Sequence, residues 1–270
     1  MARVFVPVLT CLLGGVLLCG CGQDQSKTGT PAGTETPTTQ VPAEVEPAKV
    51  TTTAAPLSPV PEAIAAAVAS PDRPADDVAR DADRKPADVL TYFEVHPGEV
   101  VFELVAGGGF YTELFSRIVG ESGRVVATRL APERIADGRL PNVTSAPDRD
   151  WGLAPNSVDL AFTSLNYHDL INLKVDRPAL LKDVLTVLKP GATFAVIDHS
   201  AADGSGVRDV GTLHRVDEAV VVSEITAAGF ELVDTSALLR HPADDRTLPV
   251  FDPKIRGKTD QFILKFRKPE

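Results

Sequence analysis

The sequence predicts an α/β domain: a mostly parallel, doubly wound seven-stranded sheet with an antiparallel C-terminal strand and helices on both faces. Three observations predict it. From residue 99 onward, short β-rich runs alternate with segments of helical periodicity, the pattern of strands joined by crossover helices. A glycine turn separates the first such strand from the first such helix. The chain closes on QFILKFRK, residues 261–268, which follows the turn-like RGKTD and alternates enough to read as an edge-proximal antiparallel strand.

The elements follow in order. Two helical candidates, residues 75–83 and 86–93, precede the sheet, the second opened by Pro86 as suits a first helical turn. The first strand spans 99–105. A helix over 111–119 places Leu114, Phe115 and Ile118 on one face and ends at Gly120. Strands are expected at 124–128, more weakly at 142–145, and at 158–164. Leu180, Leu181, Val184, Leu185 and Leu188 recur at helical spacing over 177–188, and Pro190 with Gly191 forbids continuation. A fifth strand, 193–198, is followed by a helix over 217–228, with Asp217 as its N-cap and Gly229 at its end, and by a strand at 231–236.

Ahead of this domain the composition changes twice. Residues 1–21, MARVFVPVLTCLLGGVLLCGC, place Arg3 before an apolar stretch too short to span a bilayer and ending in small residues, a signal-peptide pattern. The stretch Leu18, Cys19, Gly20, Cys21 resembles the bacterial lipobox. That resemblance implies a lipid on Cys21 and an exported protein held on a membrane, facing the periplasm or the cell exterior. Residues 22–70 are rich in Thr, Pro and Ala and lack any aromatic residue up to position 60, so they read as a disordered tether, with a short helix available at 61–70. Residues 71–270 suit one globular domain.

Several function classes are excluded at this level. All three cysteines lie within residues 1–21, so the mature chain has no disulfide framework, zinc knuckle or thiol catalyst. A net charge of −10, with no clustered basic stripe, argues against a nucleic-acid partner. Ser205 lies in DGSG with no preceding strand, unlike a nucleophile elbow.

Parallel strands put a ligand crevice outside their carboxyl ends, here just after residues 105, 128, 164 and 198. The glycine turn Glu103, Leu104, Val105, Ala106, Gly107, Gly108, Gly109 falls at the first of these ends, where backbone can approach a ligand closely. A phosphate loop needs Lys followed by Ser or Thr, but Phe110, Tyr111 and Thr112 follow Gly109; the dinucleotide spacing GxGxxG also fails at Thr112. The acid followed by a compact GxG turn resembles the first motif of the class I S-adenosylmethionine-dependent methyltransferases. PNSVDLAFTSLNYHD, LLKDVLTVLKPGATFAVIDH and the closing strand extend the resemblance over about residues 86–270. They are similar to a bacterial family of methyltransferases, many exported, that share the NYHD, DHS, HRVD and RGKTDQF stretches.

The resemblance implies a Rossmann-like fold and S-adenosyl-L-methionine as cofactor. Glu103 would lie near the methionine moiety, with Ala106 and the backbone of Gly107, Gly108 and Gly109 against the cofactor. An acid after the third strand, Asp148 or Asp150, would approach the adenine. The chain departs from the pattern at Val105, where glycine is usual, and at Arg129, where the second strand usually supplies an acid to the ribose. Guanidinium only donates and cannot accept the two hydroxyl hydrogen bonds.

Tyr167, His168, Asp169 and His199 fall at the carboxyl ends of the fourth and fifth strands, the acceptor side of such a crevice. His168 or His199 would be a base, oriented by Asp169 or Asp198, or each would brace a loop. His214, in HRVD, reads as ordering the helix that Asp217 caps. His168, Asp169, His199 and His214 could gather round a metal, but adjacent residues do not readily share one ion, so no metal is expected. Trp151 would stack on adenine or pack beneath a loop. Two functions remain: a membrane-anchored methyltransferase of a small molecule or envelope component, or a non-catalytic binding module with a lost or altered cofactor site.

Overall fold

A computed structural model describes residues 59–270. The expected signal peptide, the lipidated Cys21 and the tether as far as residue 58 lie outside the described residues. In chain order the elements are α1 (Glu62–Val68), α2 (Ala75–Val78), α3 (Asp81–Arg84), α4 (Pro86–Tyr92), β1 (Val100–Glu103), α5 (Phe110–Val119), β2 (Arg124–Thr128), β3 (Val143–Ala146), β4 (Val158–Ser164), α6 (Tyr167–Asn172), α7 (Arg177–Val187), β5 (Leu188–His199), α8 (Val210–Leu213), α9 (Glu218–Ala227), β6 (Glu231–Ser236) and β7 (Gln261–Arg267). None of the described helices is long and apolar enough to cross a membrane.

The seven strands form one sheet in the order β3-β2-β1-β4-β5-β7-β6. The pairs from β3 through β5 are parallel, and β7 runs antiparallel to both β5 and β6. The chain enters at β1, winds outward to β3, then returns to β4 on the other side of β1. This reversal sends the helices after β1 and β4 to opposite faces and opens a crevice beyond the two carboxyl ends.

Alternation along the strands sets the two faces. Phe102, Ala161, Phe194, Val196 and Phe266 point into one apolar cluster, covered by α6, α7 and α9. Their neighbours Val101, Leu160, Phe162, Ala195 and Ile197 point into the other, covered by α1, α4 and α5. Glu224 joins the helices of the first face, accepting from the Tyr167 hydroxyl at 2.8 Å and from both Nε and Nη2 of Arg177 at 2.8 Å. Asp176 and Asp217 cap α7 and α9 through the amides of Ala179 and Ala219.

Several elements differ from the sequence expectation: the helix expected over 75–83 is split into α2 and α3, the strand expected over 99–105 ends at Glu103, and α8 was not foreseen. Helix α1 buries Ile64 and Ala67 in the second cluster, so packing begins within the stretch read as tether. Strand β5 starts at Leu188, pairs with Val158, and then shifts register before Leu160, which accommodates Pro190 and Gly191 inside the strand. Residues 167–172, to which the sequence assigned no helix, form α6.

The HRVD and RGKTDQF stretches meet in an ion network below the carboxyl edge of the sheet. Arg215, fully buried, donates Nη1 and Nη2 to Asp244 at 2.9 and 3.1 Å and also reaches the carbonyls of Ser200 and Leu248. Asp244 accepts further from the amides of Asp260 and Arg246, and Asp260 pairs with Arg240 and Arg246. Removing one member leaves a buried charge without its partner. Asp244→Ala should therefore lower the unfolding free energy by about 3–5 kcal/mol in urea titration; a loss below about 1 kcal/mol would show that the network does not brace this edge.

Candidate active site

A cavity of about 510 Å³ opens at the carboxyl ends of β1 and β4. Its floor is the glycine turn. Gly107 has φ 56° and Gly109 φ 76°, a backbone region that side chains rarely adopt. A Cβ built on Gly107 or Gly108 would meet nothing within 4 Å, whereas one on Gly109 would come within 2.8 Å of Leu130 and Arg134. Gly107 and Gly108 thus leave room for a ligand, and Gly109 leaves room for the protein. Val105 also has a positive φ, 58°. Its amide donates to Thr128 Oγ1 at 2.9 Å and its carbonyl accepts from Asn166 Nδ2 at 2.7 Å, which holds a β-branched residue in a glycine conformation.

Glu103 ends β1 with its side chain buried and facing the cavity. Burial pushes its pKa up to about 7, opposed by the Thr112 hydroxyl, which donates to Oε2, and by the more distant Arg134 and Arg84. Arg84, from α3, lines the same space with its guanidinium 4.7 Å from the centre of the Phe110 ring. It makes no ion pair with any described residue, and burial holds its pKa below the usual arginine value. Ser164 Oγ, at the end of β4, is buried with no hydrogen-bond partner among the described residues. Tyr111 adds a buried phenol whose pKa burial raises to about 12.

The opposite wall is organised by Asp198, at the end of β5 and wholly buried. Its carboxylate accepts from the His168 amide, the His168 Nδ1–H and the His199 amide, each at 2.7 Å. Nδ1 of His168 is thereby engaged and Nε2 is left toward Asp169, 3.6 Å away. Burial disfavours the imidazolium of His168, but Asp198 outweighs it and the pKa rises. His199 differs: Thr259 Oγ1 lies 2.8 Å from its Nδ1, and burial drives its pKa down to about 4, so it stays neutral.

Of the expected site residues, Glu103, Ala106, Gly107, Gly108, His168, Asp169 and His199 line the cavity together. Gly109 shapes the turn from below. Tyr167 does not reach the cavity, because its ring lies in the core and its hydroxyl is held by Glu224. Asp148 also lies away from it, exposed and bound through both carboxylate oxygens, at 2.8 Å each, to Nε and Nη2 of Arg129. Asp150 is likewise outside, and Trp151 packs in the core at 4.3 Å from Phe102. The sequence reading missed Arg84, Ser164 and Thr259. Ser164 is the last residue of an expected strand and was findable; Arg84 and Thr259 arrive from remote segments with no local signal.

The residues present fit one end of S-adenosylmethionine. An acid, an unpaired guanidinium and two open glycines suit an amino-acid group bearing both charges. The ribose end finds no acid at Arg129.

No family model matches the chain. It is similar in sequence to the ubiquinone/menaquinone biosynthesis C-methyltransferase UbiE of Hydrogenovibrio crunogenus, 28% identical over 116 residues, covering 39% of this chain and 44% of that one. The same enzyme of Cronobacter sakazakii is 32% identical over 114 residues, covering 39% and 45%. The chain thus spans less than half the length of these relatives. Among solved structures it resembles a SAM-dependent methyltransferase from Aquifex aeolicus, with TM-score 0.50 and 23% identity over 68% of this chain and 88% of that one. It also resembles the [4+2]-cyclase SpnF, with TM-score 0.51 and 18% identity over 70% and 81%. With a seven-stranded sheet in this order and an acid-led glycine turn at its switch point, the α/β domain shares the fold of these methyltransferase structures and is similar in sequence to the curated methyltransferases over part of its length.

Proposed function

We propose that the protein is an S-adenosylmethionine-dependent methyltransferase whose acceptor enters on the His168 side of the cavity. The observation that carries this reading is the glycine turn: Gly107 and Gly108 are open to a cavity in which Glu103 and the unpaired Arg84 stand together. Glu103 would receive the cofactor's ammonium group and Arg84 its carboxylate, with the Gly107–Gly108 backbone beneath. When bound, the cofactor supplies an electrophilic methyl group. The chain's part is then to orient an acceptor and exclude water, since in-line methyl transfer depends chiefly on positioning. His168 Nε2, Asp169 and His199 form the polar surface available to that acceptor. His199 remains neutral above pH 4 and is tied to Thr259 through Nδ1, so a proton given up by the acceptor would pass to His168.

One observation favours a second reading, a binding module with an altered cofactor site. Arg129 stands where an acid would grip the ribose, and its ion pair with Asp148 occupies both groups. The membrane location stands on residues 1–21 alone: we propose a lipid-anchored protein exposed outside the cytoplasm.

Three outcomes are expected. Calorimetric titration of the full chain with S-adenosylmethionine should give a micromolar dissociation constant, about −8 kcal/mol, weakened at least about 100-fold in Gly107→Val. No binding at millimolar ligand would favour the second reading. Cofactor affinity should rise with pH up to about 7 and level off above it, because Glu103 is largely protonated below its pKa of about 7 and a cation favours its ionised form. In Glu103→Gln that rise should vanish; an unchanged pH profile would remove Glu103 from the ammonium site. Finally, Cys21→Ser should release the protein to the soluble fraction on cell fractionation, and retention on the membrane would contradict a lipid on Cys21.

A further inference from the structure

A cluster at the mouth of the cavity has a composition that cofactor binding does not use. His168 Nε2 lies 3.6 Å from Asp169 Oδ1, and His214 Nδ1 lies 3.8 Å from the same oxygen. The three ligand atoms all fall within 4.8 Å of one another. Metal–ligand bonds of about 2.1 Å at tetrahedral angles would separate ligand atoms by roughly 3.4 Å, so side-chain shifts of tenths of an ångström bring Asp169 into register with each imidazole. Sequence adjacency of His168 and Asp169 is no obstacle here, because Nε2 of the one and Oδ1 of the other already lie 3.6 Å apart.

The surroundings match those of a metal centre. Asp198, buried behind His168, accepts its Nδ1–H at 2.7 Å, which fixes the ring and turns the Nε2 lone pair outward, as carboxylates do behind metal-bound histidines. Asp169 carries no arginine or lysine ion pair among the described residues; Arg129, the nearby cation, is committed to Asp148. His214 is held at φ 55°, a conformation uncommon for histidine, and its ring meets the Phe251 ring at 4.9 Å.

We infer that His168, Asp169 and His214 form a binding site for a divalent first-row transition ion such as zinc, with open coordination positions toward the cavity. Two imidazoles and one carboxylate suit such ions and leave positions for water or substrate. The site stands on its own geometry and requires no cofactor. One consequence rests on the methyl-transfer reading: an acceptor oxygen bound to the ion would lose its proton to solvent water more readily, and His168 would then serve as a ligand rather than a base.

The test uses the full chain, stripped with a chelator and titrated with zinc and with cobalt(II) in the absence of S-adenosylmethionine. One equivalent should bind with micromolar or tighter affinity, and cobalt should give a visible absorption band that zinc abolishes. His214→Asn, which tolerates the left-handed backbone, and Asp169→Asn should each weaken binding at least about 100-fold. Absence of binding below millimolar zinc, or one-to-one binding retained in either variant, would overturn the inference. Should either variant fail to fold, histidine nitrogen resonances of the unsubstituted chain decide: zinc should shift His168 Nε2 and His214 Nδ1, and their constancy would overturn it.

Discussion

The carboxylate of Asp198 is the interaction on which the crevice depends. It sits at the last buried position of β5 and accepts three N–H groups, two from the backbone and one from His168. Those bonds tie the start of α6 to the end of β5, so the direction of His168 is set by the sheet rather than by a loop. His199 is held by the same group through its amide. A buried carboxylate left without these donors would carry a desolvation cost, which is why the arrangement is all-or-nothing. The acceptor side of the cavity and the proposed metal site both rest on the wall that Asp198 assembles.

Across the cavity the chain keeps a different kind of order. Val105, Gly107 and Gly109 adopt positive φ within five residues, and two hydrogen bonds hold Val105 there. The turn curls away from the space above Gly107 and Gly108 while fitting tightly beneath Gly109. Glu103 and Arg84 then face a site that is both enclosed and charged. Outside the cavity Arg129 and Asp148 satisfy one another through two hydrogen bonds of 2.8 Å.

Much of this was legible in the sequence, and the reasons are local. Strands β2, β4 and β6 carry dense β-rich runs bounded by turn residues, and their limits matched; Asp217 announced the start of α9. The glycine turn was legible because its chemistry depends on consecutive residues. What failed had non-local causes. Helix α6 is six residues long and its cap residue Asn166 spends its side chain on the carbonyls of Val105 and Ser164, so no helical pattern precedes it. Tyr167 sits beside His168 in sequence yet points to Glu224, since successive helical residues face about 100° apart. Arg84 and Thr259 reach the cavity only because the N-terminal helices and the loop before β7 fold over it. The convergence of His214 on Asp169 likewise joins two stretches, NYHD and HRVD, that are far apart in the chain.

In the proposed complex the cavity at the ends of β1 and β4 receives the cofactor with its amino-acid end between Glu103 and Arg84. A crystal structure of the full chain grown with S-adenosylhomocysteine tests it most directly. The expected result is the ligand's ammonium against Glu103, its carboxylate on Arg84 and its backbone contact at Gly107 and Gly108. A ligand bound elsewhere, or bound here with the amino-acid end reversed toward His168, would contradict it.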